Sequence, residues 1–105
     1  MAVVSLPNRY FAGELTTQEA LVATVPSATT DVVTCITFDN LTDVAQKATV
    51  KLADVLFAKD LDIAPRSLVV LDFKQTLNAA DTIKVQASAN SAVTCFISGV
   101  RITNS

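Results

Sequence analysis

The chain has 105 residues, a net charge of -2, half of its residues hydrophobic and only 17% charged. That length holds one domain with a single core, and the sparse charge leaves surface to be covered by partners. The eight basic residues, Arg9, Lys47, Lys51, Lys59, Arg66, Lys74, Lys84 and Arg101, are scattered singly, and no histidine is present. The charge pattern therefore offers no footprint for nucleic acid, and the commonest general base and zinc ligand are missing. No signal-like segment opens the sequence and no apolar run approaches the ~18 residues that cross a bilayer, so a soluble chain made in the cytoplasm is expected.

Residues 1–17 read as an extended N-terminal arm, with a turn signal at Pro7-Asn8-Arg9 and an interruption at Gly13. Tyr10 and Phe11 are adjacent aromatics. In a strand one of them would face away from the core, open to another chain; the alternative is that both pack on the domain's own surface. Thr16 and Glu19 stand at capping-box spacing, yet residues 19–25 alternate as a strand that Pro26 closes. Residues 31–38 alternate Val32, Thr34, Ile36 and Phe38 with Val33, Cys35 and Thr37, a β-branched strand.

Asn40-Leu41-Thr42 matches a glycosylation acceptor, a triplet common by chance and here read as unmodified. Residues 44–58 fit either a helical face through Val44, Ala48, Leu52 and Val55 or an alternating strand. The neighbouring β segments favour two strands, near 47–53 and 55–58. Asp60 and Asp62 project from one side of an extended chain, but a hard cation needs about six or more oxygens, so a solvated loop is expected rather than a metal site. Residues 67–73 read as a strand buried on both sides. Residues 82–88 and 93–97 alternate strictly around a polar turn at Asn90-Ser91, the pattern of an antiparallel hairpin. Val100 and Ile102 fall out of phase with Ile97, which points to a bulge at Ser98-Gly99 in which Gly99 supplies positive φ.

The sum is an all-β chain: a single-domain antiparallel β-sandwich or jelly roll over residues 18–105, preceded by the arm. With two glycines in the whole chain, two-residue turns of the glycine-dependent kind should be rare. Cys35 and Cys95 sit in strands sixty residues apart and are read as buried thiols, because disulfides are uncommon without secretion. No nucleophile pair, phosphate loop or metal-ligand spacing is present, so the chain reads as a non-enzyme with no cofactor and no metal. A carbohydrate-binding module for host recognition stays open as an alternative, weakened by one Tyr and no Trp.

Thr24-Val25-Pro26 before a Thr-rich turn, a strand ending at Asn40, the step from Leu77 to Ile83, and Ile97-Ser98-Gly99-Val100 together resemble small structural proteins of tailed bacteriophages. The resemblance spans residues 20–103, and where such relatives carry Gly before the Asp this chain has Ala80. It implies a β-sandwich with a place in the virion: a capsid decoration (cement) protein bound to the major capsid protein, or a tail or fibre-attachment component. A homo-oligomer, with a trimer favoured, is the implied form, with no role for nucleic acid or membrane. Arg9, Tyr10 and Phe11 are then the expected interface anchors, and Pro26 and Gly99 the structural residues.

Overall fold

The computed structural model describes residues 3–104. It comprises eight strands: β1 Val3–Glu14, β2 Ala20–Thr24, β3 Thr29–Asn40, β4 Gln46–Leu52, β5 Val55–Ile63, β6 Leu68–Leu77, β7 Thr82–Ala87 and β8 Val93–Asn104. They form two four-stranded sheets, β1-β8-β3-β6 and β2-β7-β4-β5, with every pairing antiparallel. Apart from β4 and β5, successive strands pass from one sheet to the other, which is the jelly-roll arrangement. Val33, Ile36 and Phe38 of β3, Cys95 and Ile97 of β8, Val50 of β4 and Ile83 and Val85 of β7 interdigitate between the sheets. Their side chains are alternate residues of each strand except between Val33 and Ile36, where a register shift in β3 inserts one residue, so the period of two in the sequence builds most of the core directly.

Four features differ from the sequence expectation. Residues 82–102 do not form a hairpin: β7 lies in one sheet and β8 in the other. A strand facing a sandwich core from either side shows the same alternation, so its period does not report its partner. The segment expected as an arm over residues 1–17 is, from Val3 to Glu14, the edge strand of its sheet, paired along β8 from Val3↔Asn104 to Glu14↔Thr94. Its hydrogen bonds complete β8, whose other edge is taken by β3. The first two residues of that arm and Ser105 lie outside the described residues. Strand β6 is an edge strand with one face exposed, because Leu68, Val70 and Asp72 alternate with the core-packed Val69, Leu71 and Phe73. Asp60 and Asp62 lie within β5 and not in a loop.

Glycine is used sparingly, and other residues take the left-handed turns. The β4–β5 hairpin closes on Ala53 (φ 54°) and Asp54 (φ 61°), a two-residue turn with both central residues at positive φ. Ala28, Arg66, Ala80 and Ser91 take the same region in other connections. Pro26 is exposed and ends β2, one residue before Ser27, whose carbonyl accepts from Thr29 Oγ1 at 3.1 Å. Asn40 is the buried tie of the opposite end: its Nδ2 lies 2.8 Å from the Val44 carbonyl and 3.1 Å from that of Ile63, and its Oδ1 accepts from Thr42 Oγ1 at 2.7 Å. Buried and spent in this way, the Asn40 side chain is not presented for glycosylation.

Candidate interaction surface

The bulge in β1 decides where the N-terminal aromatics point. Arg9 opposes Ser98 and Phe11 opposes Ile97, leaving Tyr10 as the extra residue. Two successive side chains, Tyr10 and Phe11, therefore both turn onto the core. Tyr10 donates to the Val100 carbonyl at 3.2 Å, and the Arg101 guanidinium stands 5.8 Å from its ring centroid. Of the three residues expected as anchors, Arg9 alone is exposed.

Behind Tyr10 lies a buried charge. Arg101 Nε donates to Asp31 Oδ1 at 2.9 Å and Nη2 to Oδ2 at 3.1 Å, a two-pronged pair between residues directly opposite in β8 and β3. Burial, followed by the Asp31 carboxylate, pushes the Tyr10 phenol up to about 12. Gly99 sits beside this cluster. No glycine here has positive φ, and β8 has no bulge at Ser98-Gly99: the extra residues are Tyr10 in β1 and Thr34 in β3, and Val100 and Ile102 stay on the face opposite Ile97, so the expectation is corrected. A Cβ there would meet the Val32 carbonyl carbon at 2.9 Å, and the glycine is required by that close approach of β3.

Exposed apolar side chains lie elsewhere, at the start of β5 beside the open side of the sandwich and, separately, on the outer face of the edge strand β6. Ten large apolar side chains are exposed among the described residues, and five of them, Val55, Leu56, Phe57, Leu68 and Val70, lie on these two strands. The Phe57 and Phe73 rings meet across the gap, tilted by 35° with centroids 4.5 Å apart, and a crevice of about 220 Å³ runs there, lined by Leu52, Val55, Phe57, Thr76 and Leu77 among others. Outward on the β6 sheet, Ala12, Phe96, Thr37 and Val70 stand in one cross-strand row. Exposed apolar side chains beside unpaired strand edges are the kind of surface that protein–protein contacts use.

A second concavity, of about 480 Å³, lies on the outer face of the other sheet, where the double bulge of β5 opens it. Its walls include Lys47, Lys51, Lys59, Glu19, Thr49 and Gln86, with no aromatic side chain. Lys51 is 2.9 Å from Glu19, and Lys47 is 2.7 Å from Asp62, so much of its charge is spent within the chain. The hydrogen bond from Lys47 to the Asp62 carboxylate raises the pKa of the ammonium. Without a ring to stack on, a sugar has no platform there.

Cys35 and Cys95 are both free thiols. Cys35 opposes Ser98 on the outer face and Cys95 opposes Phe38 in the core, which puts the two sulfurs on opposite sides of the sheet. Burial pushes the Cys95 thiol up to about 12, so it stays protonated and inert. Among the described residues no group of three or more His, Cys, Asp or Glu converges as metal ligands.

Leu68 and Val70, exposed on the outer face of β6, lie in the run that the sequence reads as buried on both sides. Asp72 was the available signal, because it continues their face of the strand at a position where a buried charge would need a partner. No protein-family model matches the chain, nor does any curated protein. Among solved structures, it is similar to a Bacillus endospore appendage pilus protein at 12% identity and a TM-score of 0.48, over 98% of this chain and 89% of that one. It is also similar to the EclA C-terminal domain, a sugar-binding protein, at 15% identity and TM-score 0.49, over 97% and 77%. A family 35 carbohydrate-binding module from Clostridium thermocellum aligns at 10% identity and TM-score 0.40 over the whole of both chains. Likenesses this distant do not bear on what the chain does.

Proposed function

We propose that the chain is a non-enzymatic structural protein of a tailed-phage virion, a decoration protein that binds the outer surface of the capsid and cements it through protein–protein contacts. The observation that carries the reading is the apolar surface beside two unpaired strand edges, Val55, Leu56 and Phe57 at the start of β5 and Leu68 and Val70 on the outer face of β6, on a chain with only 17% charged residues. Such a surface is costly in solution and suits permanent burial between neighbours in a lattice. The sequence resemblance supports the virion as that lattice, with the major capsid protein as partner. Arg9, exposed on β1, keeps its proposed role as a contact residue, whereas Tyr10 and Phe11 serve by holding β1 to the domain. A tail or fibre position is the rival within the same class and uses the same surface.

The test is reconstitution. Purified capsids lacking the chain are mixed with increasing amounts of it, sedimented, and heated while DNA release is followed. A decoration protein co-sediments to saturation and raises the rupture temperature. Failure to sediment with the capsids sinks the reading.

A further inference from the structure

Four strands form the edges of the two sheets, and three of them are blunted against further pairing. Strand β1 carries Pro7, which lacks an N–H, and a bulge at Tyr10. Strand β2 has only five residues and a register shift. Strand β5 shifts register twice and bears Lys59, Asp60 and Asp62. Strand β6 differs. From Leu68 to Asp72 it pairs residue for residue with β3, from Asp39↔Leu68 to Cys35↔Asp72, and its only shift lies beyond Asp72. This stretch has no proline, no bulge and no charge before Asp72, and it shows Leu68 and Val70 to solvent at 57% and 47% exposure.

Its backbone is phased for a partner. Asn40 N–H donates to the Ser67 carbonyl at 2.9 Å, which makes Asn40 and Ser67 a hydrogen-bonded pair. Antiparallel pairs alternate, so Val69 and Leu71 bond to β3 while Leu68, Val70 and Asp72 turn their N–H and C=O groups to the free edge. The side chains of these same three residues lie on the outer face.

From this we infer that β6 pairs antiparallel with β6 of a second copy of this chain, about a two-fold axis at Val69. In that register Leu68 opposes Val70 of the other copy, and the reverse, so each exposed apolar side chain meets its complement. The outward N–H and C=O groups of both residues fall opposite one another, as a hydrogen-bonded pair requires. Asp72, which has no ion-pair partner within the chain among the described residues, comes to the end of the other copy's β6, beside the turn that carries Arg66. The Arg66 guanidinium is held only by Asp43, at 2.7 Å, in a pair whose side chains are 66% and 81% exposed, and it is free to swing across. This axis keeps Asp72 clear of the apolar pair, whereas moving it to Leu71 sets Val70 against Asp72. The pairing joins two four-stranded sheets into one of eight and brings the β5 edges of both copies together. A two-fold contact closes on itself, so a trimer would need a second, different interface.

This deepens the assembly reading by naming one partner, and rests on that reading only for the need to cover the outer face of β6. Sedimentation equilibrium of the purified chain tests it, with Val70→Lys and Leu68→Lys in the contact and Leu21→Lys as an exposed apolar control on β2. Dimers are expected for the parent chain and for Leu21→Lys, and monomers for Val70→Lys and Leu68→Lys with circular dichroism and melting temperature unchanged. Asp72→Arg should weaken the dimer and Arg66→Glu in the same chain should restore it. A parent chain that stays monomeric to millimolar concentration, or a Val70→Lys chain that stays dimeric, overturns the inference. A monomer that still cements capsids would leave the virion reading standing alone; a dimer that ignores capsids would do the reverse.

Discussion

Gly99 and Val32 are in such close approach that a Cβ on Gly99 would overlap the Val32 carbonyl oxygen, with the Val33 Cα at 3.0 Å. The obstructing atoms are backbone, which cannot rotate aside. Gly99→Ala must therefore push β8 away from β3 at the centre of their sheet, and a loss of about 3 kcal/mol is expected, at the upper end for overpacking. The atom that a Cβ on Gly13 would meet belongs to the Phe11 ring, at 3.2 Å, which can shift. Urea denaturation of Gly99→Ala and Gly13→Ala checks the contrast, and equal midpoints would remove the close approach from the account.

The left-handed alanines make the opposite prediction. Ala80 has φ 74° and Ala53 φ 54°, conformations that cost an L-residue about 1–2 kcal/mol. The Ala80 turn is pinned by its own N–H on the Val25 carbonyl at 2.9 Å and by Val25 N–H on the Asp81 carbonyl at 2.9 Å, so it cannot relax. Ala80→Gly and Ala53→Gly should each stabilise the domain by about 0.5–1 kcal/mol, after subtraction of the entropy glycine restores to the unfolded chain. A lower melting temperature for both would contradict these φ angles.

Asp31 and Arg101 should behave as a unit. The Asp31 side chain is 2% exposed, and Arg101→Leu leaves its charge without a partner, at a cost of about 3 kcal/mol. Replacing both residues with Leu removes the stranded charge, so the double variant should be more stable than the single. A double variant that loses the sum of the two single losses would show that the pair contributes through separate contacts.

Alkaline pH should loosen the fold before it reaches the lysine range in full. Tyr10, raised from 10.0 to about 12, and Cys95, raised from 9.0 to about 12, are both neutral groups that burial keeps protonated. Each contributes stability that is complete below its unfolded pKa and lost as pH rises through its folded one. The urea midpoint should thus fall between about pH 9 and 12, less steeply for Tyr10→Phe than for the parent chain. In the native state a thiol reagent should label Cys35 alone, with Cys95 reacting only on unfolding. Two thiols labelled at equal rates would contradict the burial of Cys95.

The alternation in residues 31–38 and 82–97 was enough to read a two-sheet core, because each inward residue of a sandwich strand obeys the same period. Even the ambiguous residues 44–58 resolve into β4 and β5, where Ala48, Val50 and Leu52 follow the strand period and not the helical one. What could not be read was pairing. Inward parity is identical for a hairpin and for a sheet-to-sheet crossing, so β7 and β8 were joined wrongly. Bulges were equally hidden, since an extra residue such as Tyr10 is defined by the partner strand and leaves no mark of its own in the sequence. The exposed face of β6 is obscured for a related reason: Leu68 and Val70 are apolar yet exposed, and composition does not distinguish an apolar residue of the core from one at the surface.

The copy number of the chain in purified virions tests the central proposal most directly, by quantitative mass spectrometry against the major capsid protein. A capsid decoration protein predicts a ratio near one to one or one to two. A few copies per particle, or none, would contradict a role in cementing the shell, and a small fixed number would place the protein in the tail or fibre.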